Sequence, residues 1–311
     1  MLSYSVFFIT VAALLAIATL GLNLQWGVSG QFNAGVVGFI AVGGYTLAVL
    51  TIPASQQLWV RLEWPFALAL LASLAVTAAV ALLVGLATLR LRSDYLAIAT
   101  FGIASSIQLL ANNLEKLTGG SRGLIGIPRP FAQLTETIGT PFGVQGFAWA
   151  YLAMVLLILA LVCAALQALL HSPWGRVQRA LREDEEVCAA LGKNVVRFRL
   201  TAFVLGAMLM GLSGALYVGF VGATSPSDFM PILTFQIWAM LIVGGSGSNG
   251  GAILGSFVIW GLWTLSGALI VSVLPPQYQA QGGAVQSILV GLVLVLTLLL
   301  RPSGLLGARR G

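Results

Sequence analysis

Residues 65–89 read PFALALLASLAVTAAVALLVGLATL, a run without a single charged side chain, closed by Arg90. At about 1.5 Å of rise per residue, one helix of that length crosses the roughly 30 Å hydrocarbon core of a bilayer. Further apolar stretches fall at 5–24, 34–52, 94–114, 147–170, 200–222, 251–274 and 284–300, with a shorter one at 233–245. The expected fold is an all-α integral membrane protein, a polytopic helix bundle of about nine spans with broken or half-length helices. The run at 233–245 is read as a half-span stopped by the glycines that follow it.

Composition agrees with lipid as a second solvent. Of 311 residues, 59% are hydrophobic and 8% charged, where a soluble domain carries about 25% charged residues. The mean hydropathy is +0.98. A net charge of +6 is accounted for by topology rather than by nucleic acid, because Lys and Arg gather in the cytoplasmic loops of membrane proteins. Alternating the spans places Arg90, Arg92, Arg176, Arg179, Arg182, Lys193, Arg197, Arg199, Arg301, Arg309 and Arg310 on one side, eleven against four. The four are Arg61, Lys116, Arg122 and Arg129. The amino terminus is expected outside and the carboxyl terminus in the cytoplasm. No basic segment precedes the first apolar run, which is span-length, so it is read as a retained helix rather than a cleaved leader.

Two interruptions break this pattern. Residues 25–35 read QWGVSGQFNAG and residues 244–251 read GGSGSNGG. Both carry an Asn among glycines and open an apolar helix with small residues, with Gly30, Gly35, Gly247 and Gly251 as the candidate helix-breaking positions. Non-helical backbone survives at membrane depth only when buried in protein or lining a wet cavity. Paired breaks in two halves of a transporter mark a substrate path between internal repeats. Two tight loops between closely packed helices would give the same pattern. Glycines also punctuate 200–222, at Gly206, Gly211, Gly214 and Gly219, as expected where helices approach closely.

Enzymatic chemistry has little to work with. Residues 211–214, GLSG, have the form of an intramembrane serine nucleophile, but such a serine needs a base within reach, and His171 is the only histidine. One histidine and two separated cysteines, Cys163 and Cys188, offer neither a metal site nor a disulfide. No phosphate-cradling Gly-x-x-x-x-Gly-Lys-Ser/Thr loop occurs, since Gly192-Lys193 runs on into Asn194. Asp94, Glu115 and Asp228 all lie at expected span boundaries or in a loop, which weakens coupling to an ion gradient.

The polar segment 171–199 is the most informative. Pro173 suits a helix start, and Arg176, Arg179 and Arg182 recur every third residue and share a face. Leu181, Ala189, Ala190 and Leu191 supply an apolar complement, and Gly192 closes the element. A short amphipathic helical element held between two spans suits docking to a partner. A solvated loop carrying topological charge is the plainer reading.

At this segment the chain resembles the permeases of branched-chain amino acid ABC importers, specifically the M-type member of their permease pair. Three blocks carry the likeness, from about residue 20 to beyond 250. They are Leu22-Asn23-Leu24 to Gly30 with Gly35 to Tyr45-Thr46; Ala97 to Thr100 followed by residues 117–128, LTGGSRGLIGIP; and residues 172–176, SPWGR, to Gly192, with Ala202-Phe203 and residues 211–217. In the wider ABC-permease pattern a Glu-Ala-Ala-x-x-x-Gly loop docks on the nucleotide-binding subunit. Here Glu186 and Gly192 hold the outer positions, Val187 and Cys188 replace the alanines, and the later Ile-x-Leu-Pro is absent.

The resemblance implies a single permease domain over 1–311, with residues 171–199 as its cytoplasmic coupling loop and Arg176, Arg179, Arg182, Glu186 and Gly192 as coupling residues. It implies a bacterial cytoplasmic (inner) membrane and three kinds of partner: two ATP-binding subunits, a second homologous permease, and a periplasmic or surface solute-binding protein docking on a surface that includes 118–128. No cofactor is bound by this chain, and ATP is hydrolysed by the partner subunits. Asn23, Gln25, Asn33, Gln108 and Gln236 are candidate lining of the substrate path. Branched-chain amino acids are the implied solute, with urea or short amides carried by other relatives. A standalone secondary transporter and an intramembrane hydrolase remain the rival classes.

Overall fold

The computed structural model describes residues 2–53, 62–91, 93–131, 146–273, 282–301 and 303–306. Arg61, Arg92, Arg309 and Arg310 of the charge count lie outside the described residues. Among the described residues, seven helices are long and apolar enough to cross a membrane. They are α1 (Leu2–Leu22, continued by a π-helical turn Asn23–Val28), α3 (Phe66–Thr88), α4 (Ser93–Asn113), α6 (Gly146–His171), α9 (Val195–Val221), α11 (Asn249–Val273) and α12 (Gly282–Leu300). Two shorter apolar helices, α2 (Val36–Thr51) and α10 (Pro231–Gly244), complete the bundle. At about 1.5 Å per residue each falls short of the roughly 30 Å core. The half-length element expected at 233–245 is therefore present, and the element at 34–52 is a second one.

Between α4 and α6, after a short turn α5 (Glu115–Thr118), strand β1 (Leu124–Ile125) pairs antiparallel with β2 (Ala223–Thr224). Gly119, Gly120 and Gly123 all have positive φ there, forming the tight turns that fold residues 118–126 onto the end of α9.

α9 is the central post, packed against α1, α2 and α3. Its glycines let other backbones come close. A Cβ on Gly43 would sit 2.5 Å from Gly211 Cα, and one on Gly21 would sit 3.4 Å from the carbonyl carbon of Gly206. Side-chain hydroxyls then bond across the contacts: Tyr151 donates to the Leu216 carbonyl at 2.6 Å and Ser213 to the Leu14 carbonyl at 2.7 Å. The peripheral helices α3, α6, α11 and α12 leave leucines such as Leu83, Leu157, Leu265 and Leu299 exposed. Lipid tails give those side chains the apolar surroundings that water would deny them.

A Gly43→Ala substitution should lower the thermal unfolding midpoint in detergent, because overpacking costs about 1–3 kcal/mol. Gly102→Ala, whose Cβ meets nothing within 4 Å, should leave the midpoint unchanged or raise it.

Candidate functional site

The two glycine-rich interruptions meet. α1 loosens into its π-helical turn at Asn23, turns at Gly30 with φ +73°, and runs irregularly to Gly35 before α2 begins. The second break turns through Gly245 and Gly247, with φ of +114° and +87°. Asn23 ties them together: its Nδ2 donates to Asn249 Oδ1 at 3.0 Å, and its Oδ1 accepts the Gly247 N–H at 2.8 Å. Gly27 packs so tightly on the second break that a Cβ there would lie 2.7 Å from Gly247 N. Beyond it, Gly251 lies against the Gly244 and Gly245 carbonyls, and Gly35 against Thr100.

The unwound backbone is satisfied almost residue by residue. Gln25 donates through Nε2 to the Phe203 carbonyl at 2.7 Å and accepts Asn33 Nδ2 at 2.8 Å. Asn33 Oδ1 accepts the Gly35 N–H at 2.7 Å, and the Asn33 carbonyl accepts Trp238 Nε1 at 3.0 Å. Thr100 and Thr234 hydroxyls accept the Ala34 and Val37 N–H groups at 3.1 Å. Asn23, Gln25 and Asn33 are fully buried by this network. Their amides hold the breaks together and face none of the cavities described below.

Gln108 and Gln236 do face cavities. Gln108 borders an open hollow of about 480 Å³ of mixed polarity, with Ser105, Leu109, Asn112, Ser121 and Met230, and donates to the Pro226 carbonyl at 3.3 Å. Gln236 lines an apolar cavity of about 450 Å³ beside the first break. Ser213 is buried and bonded to Leu14, while His171 sits at the end of α6 with Nδ1 against the Gln167 carbonyl. Among the described residues no hydrogen bond joins a serine to His171, as the hydrolase reading would need.

The element after α6 is two helices rather than one: α7 (Pro173–Glu183) and α8 (Glu185–Ala190). Asp184 leaves helical geometry, with φ −154° and ψ 110°, and its Oδ1 accepts the Glu186 and Val187 N–H groups at 2.9 and 3.0 Å. Gly192, with φ +76°, ends the turn in open space. α7 buries Gly175, Gln178 and Leu181 against the bundle.

All three arginines are exposed, and their guanidinium groups fold back onto backbone carbonyls. Arg179 donates to the Leu170 carbonyl at 2.7 Å and Arg176 to the His171 carbonyl at 3.5 Å, so both cap α6. Arg182 donates through Nη1 to the Gly27 carbonyl, at the first break. Gln178 joins the same region, accepting Ser29 Oγ at 2.9 Å and donating to the Phe198 carbonyl at 2.7 Å. Gln31 donates to Ser29 Oγ at 2.7 Å and to the Arg199 carbonyl at 2.9 Å, and Arg199 pairs with Glu185 at 2.8 Å. Glu186, Val187, Ala190 and Leu191 are exposed beside them, with Leu191 73% and Val187 54% exposed. Sequence reasoning missed Ser29, Gln31 and Gln178. The available signal was a Gln placed between Gly175 and Leu181 on the buried face of α7.

The sequence profile of the family described as the branched-chain amino acid transport system permease component matches residues 4–298. The high-affinity branched-chain amino acid transport system permease protein LivM of Salmonella typhimurium is 33% identical, over 97% of this chain and 69% of the relative. LivM of Escherichia coli is 32% identical over the same shares. The permease protein LivH of Salmonella typhimurium is 24% identical over 96% of this chain and 93% of the relative. No solved structure is significantly similar.

Asn23→Leu should strand the Gly247 N–H and the Asn249 amide. Leaving buried polar groups unpaired costs about 1–3 kcal/mol, so the melting point in detergent should fall. A melting point equal to that of the native chain would show that the breaks do not depend on this amide.

Proposed function

This chain belongs to the branched-chain amino acid transport permease family, and we propose that it is the membrane subunit through which an ATP-driven importer passes leucine, isoleucine and valine. The substrate class rests on the relatives' names. The coupling rests on one geometric observation: Arg182 and Gln178, on the element between α6 and α9, are hydrogen-bonded into the glycine break of α1.

In this reading the arginine-rich end of the bundle faces the cytoplasm, as the positive-inside rule requires, and the membrane is the bacterial inner membrane. One of two ATP-binding subunits docks on the exposed surface of Glu186, Val187, Ala190 and Leu191, where apolar Val187 and Leu191 stand beside acidic Glu186. The chain has no phosphate-binding loop of its own, so hydrolysis belongs to those subunits and this one performs no reaction. A second, homologous permease forms the other wall of the path. A loaded binding protein docks at the opposite end, on the ordered turns of 118–126.

ATP-driven closure then displaces α7 and α8. Because Arg182 grips the Gly27 carbonyl and Gln178 grips Ser29, the displacement is delivered to the first break and, through Asn23, to Gly247 and Asn249. Half-helices α2 and α10 end at these breaks and can tilt without unravelling a continuous span.

Purified through a tag in mild detergent, the chain should bring down a second permease and ATP-binding subunits. Recovery alone, with transport after reconstitution in the absence of ATP, would point to a secondary carrier. Glu186→Lys and Gly192→Pro should each lower ATP-driven uptake at least about tenfold, the loss of roughly 1.4 kcal/mol of coupling, while the protein still reaches the membrane. Normal uptake by both variants would remove the docking assignment.

A further inference from the structure

We propose that the cavity beside the first break is a transit subsite for the apolar side chain of the solute, with Gln236 as its polar contact. This rests on the import reading above and extends it to named residues. The cavity, about 450 Å³, is walled by Trp26, Phe32, Trp238 and Trp263 and by one side of α12 at Gly291. Small-molecule sites are commonly about 300–1,000 Å³, mostly apolar, with a few placed polar groups. The aromatic rings interlock, with Phe32 and Trp26 centroids 4.5 and 5.0 Å from Trp238.

Gln236 is the observation that points to a ligand. It is 8% exposed, lines the cavity, and has no hydrogen-bond partner among the described residues. Asn23, Gln25 and Asn33 are bonded at both ends, and Gln31, bonded through Nε2 but not Oε1, is not part of the cavity wall. The Gln236 amide is not sealed in protein but accessible at the cavity; an amide against an apolar wall without a partner is costly, and a lipid tail cannot supply one. An amino acid can: its ammonium or carboxylate meets the amide while its branched side chain fills the aromatic box.

Position adds a second argument. Trp26 belongs to the same turn as Gly27, whose carbonyl Arg182 holds, and Trp238 Nε1 binds the Asn33 carbonyl. Movement of the coupling element therefore reaches two walls of the cavity, so its grip on a solute changes with the ATPase cycle.

The test uses the complete importer in proteoliposomes, with its binding protein loaded with radiolabelled leucine. A Cβ on Gly291 meets nothing within 4 Å, so the Gly291→Leu side chain starts into open space on the cavity wall. Leucine uptake per ATP hydrolysed should fall about 10-fold or more, in line with one misfitted group in an apolar pocket, while hydrolysis itself stays at the native level. Gln236→Leu should lower leucine uptake about tenfold by the same criterion. Native uptake per ATP in Gly291→Leu overturns the subsite, as does an equal loss of hydrolysis. Unchanged uptake in Gln236→Leu assigns the cavity to lipid and also overturns it. Native liposomes that import no branched-chain amino acid with ATP reject the import reading itself, a result separable from either variant.

Discussion

Backbone that leaves the helix inside a membrane has no water to bond to, and each N–H or C=O left bare there costs several kcal/mol. This chain leaves the helix twice within one bundle and meets the requirement with side chains. Asn23, Gln25, Asn33, Thr100, Thr234 and Trp238 take over the bonds that α1, α2 and α10 would have made to themselves. Close approach makes this possible, since Gly27 brings the first break against Gly247 with no side chain between them. The breaks are consequently ordered features, joined to each other through Asn23.

In the proposed import reading, that union gives the element of α7 and α8 something to act upon. A single bond from Arg182 to a helical carbonyl would compete with the helix for that oxygen. At the π-helical turn the Gly27 carbonyl is available, and the guanidinium binds it alongside the Ser29–Gln178 pair. Hydrogen bonds across membrane helices are worth only about 0.6–2 kcal/mol each, so no one of them could drag a span. Gln178, Arg182 and Gln31, acting together on neighbouring residues, hold the element and the break as one body. Glu186, Val187, Ala190 and Leu191 stay exposed, while the bonds to the first break come from Gln178 and Arg182 of α7.

Much of this architecture was legible in the sequence because lipid imposes a simple rule. Runs such as 65–89 have no alternative to a spanning helix, and the glycine clusters at 25–35 and 244–251 could only be breaks or loops. The sequence also marks Asn23, Gln25 and Asn33 as unusual. It does not say that they face each other, because facing depends on how α1, α10 and α11 are rotated in the bundle. That is why three of the five expected path residues are internal staples in the structure, while Gln108 and Gln236 border cavities. The arginine stripe of α7 shows the same limit: regular spacing establishes a shared face, and only packing reveals that this face turns toward the Leu170, His171 and Gly27 carbonyls. Asp184 was legible as a capping residue type, but two helical signals abut there and read as one element.

The central claim is that the coupling element and the paired breaks move as a single body. It is tested by spin labels at Ala190 and Gly250, both exposed, with a third at Ser106 on α4, in the assembled importer with and without trapped ATP. The account predicts that the separation between 190 and 250 stays constant while both change their distance to 106. A changing separation between 190 and 250, with the distance from 250 to 106 unaltered, would contradict it.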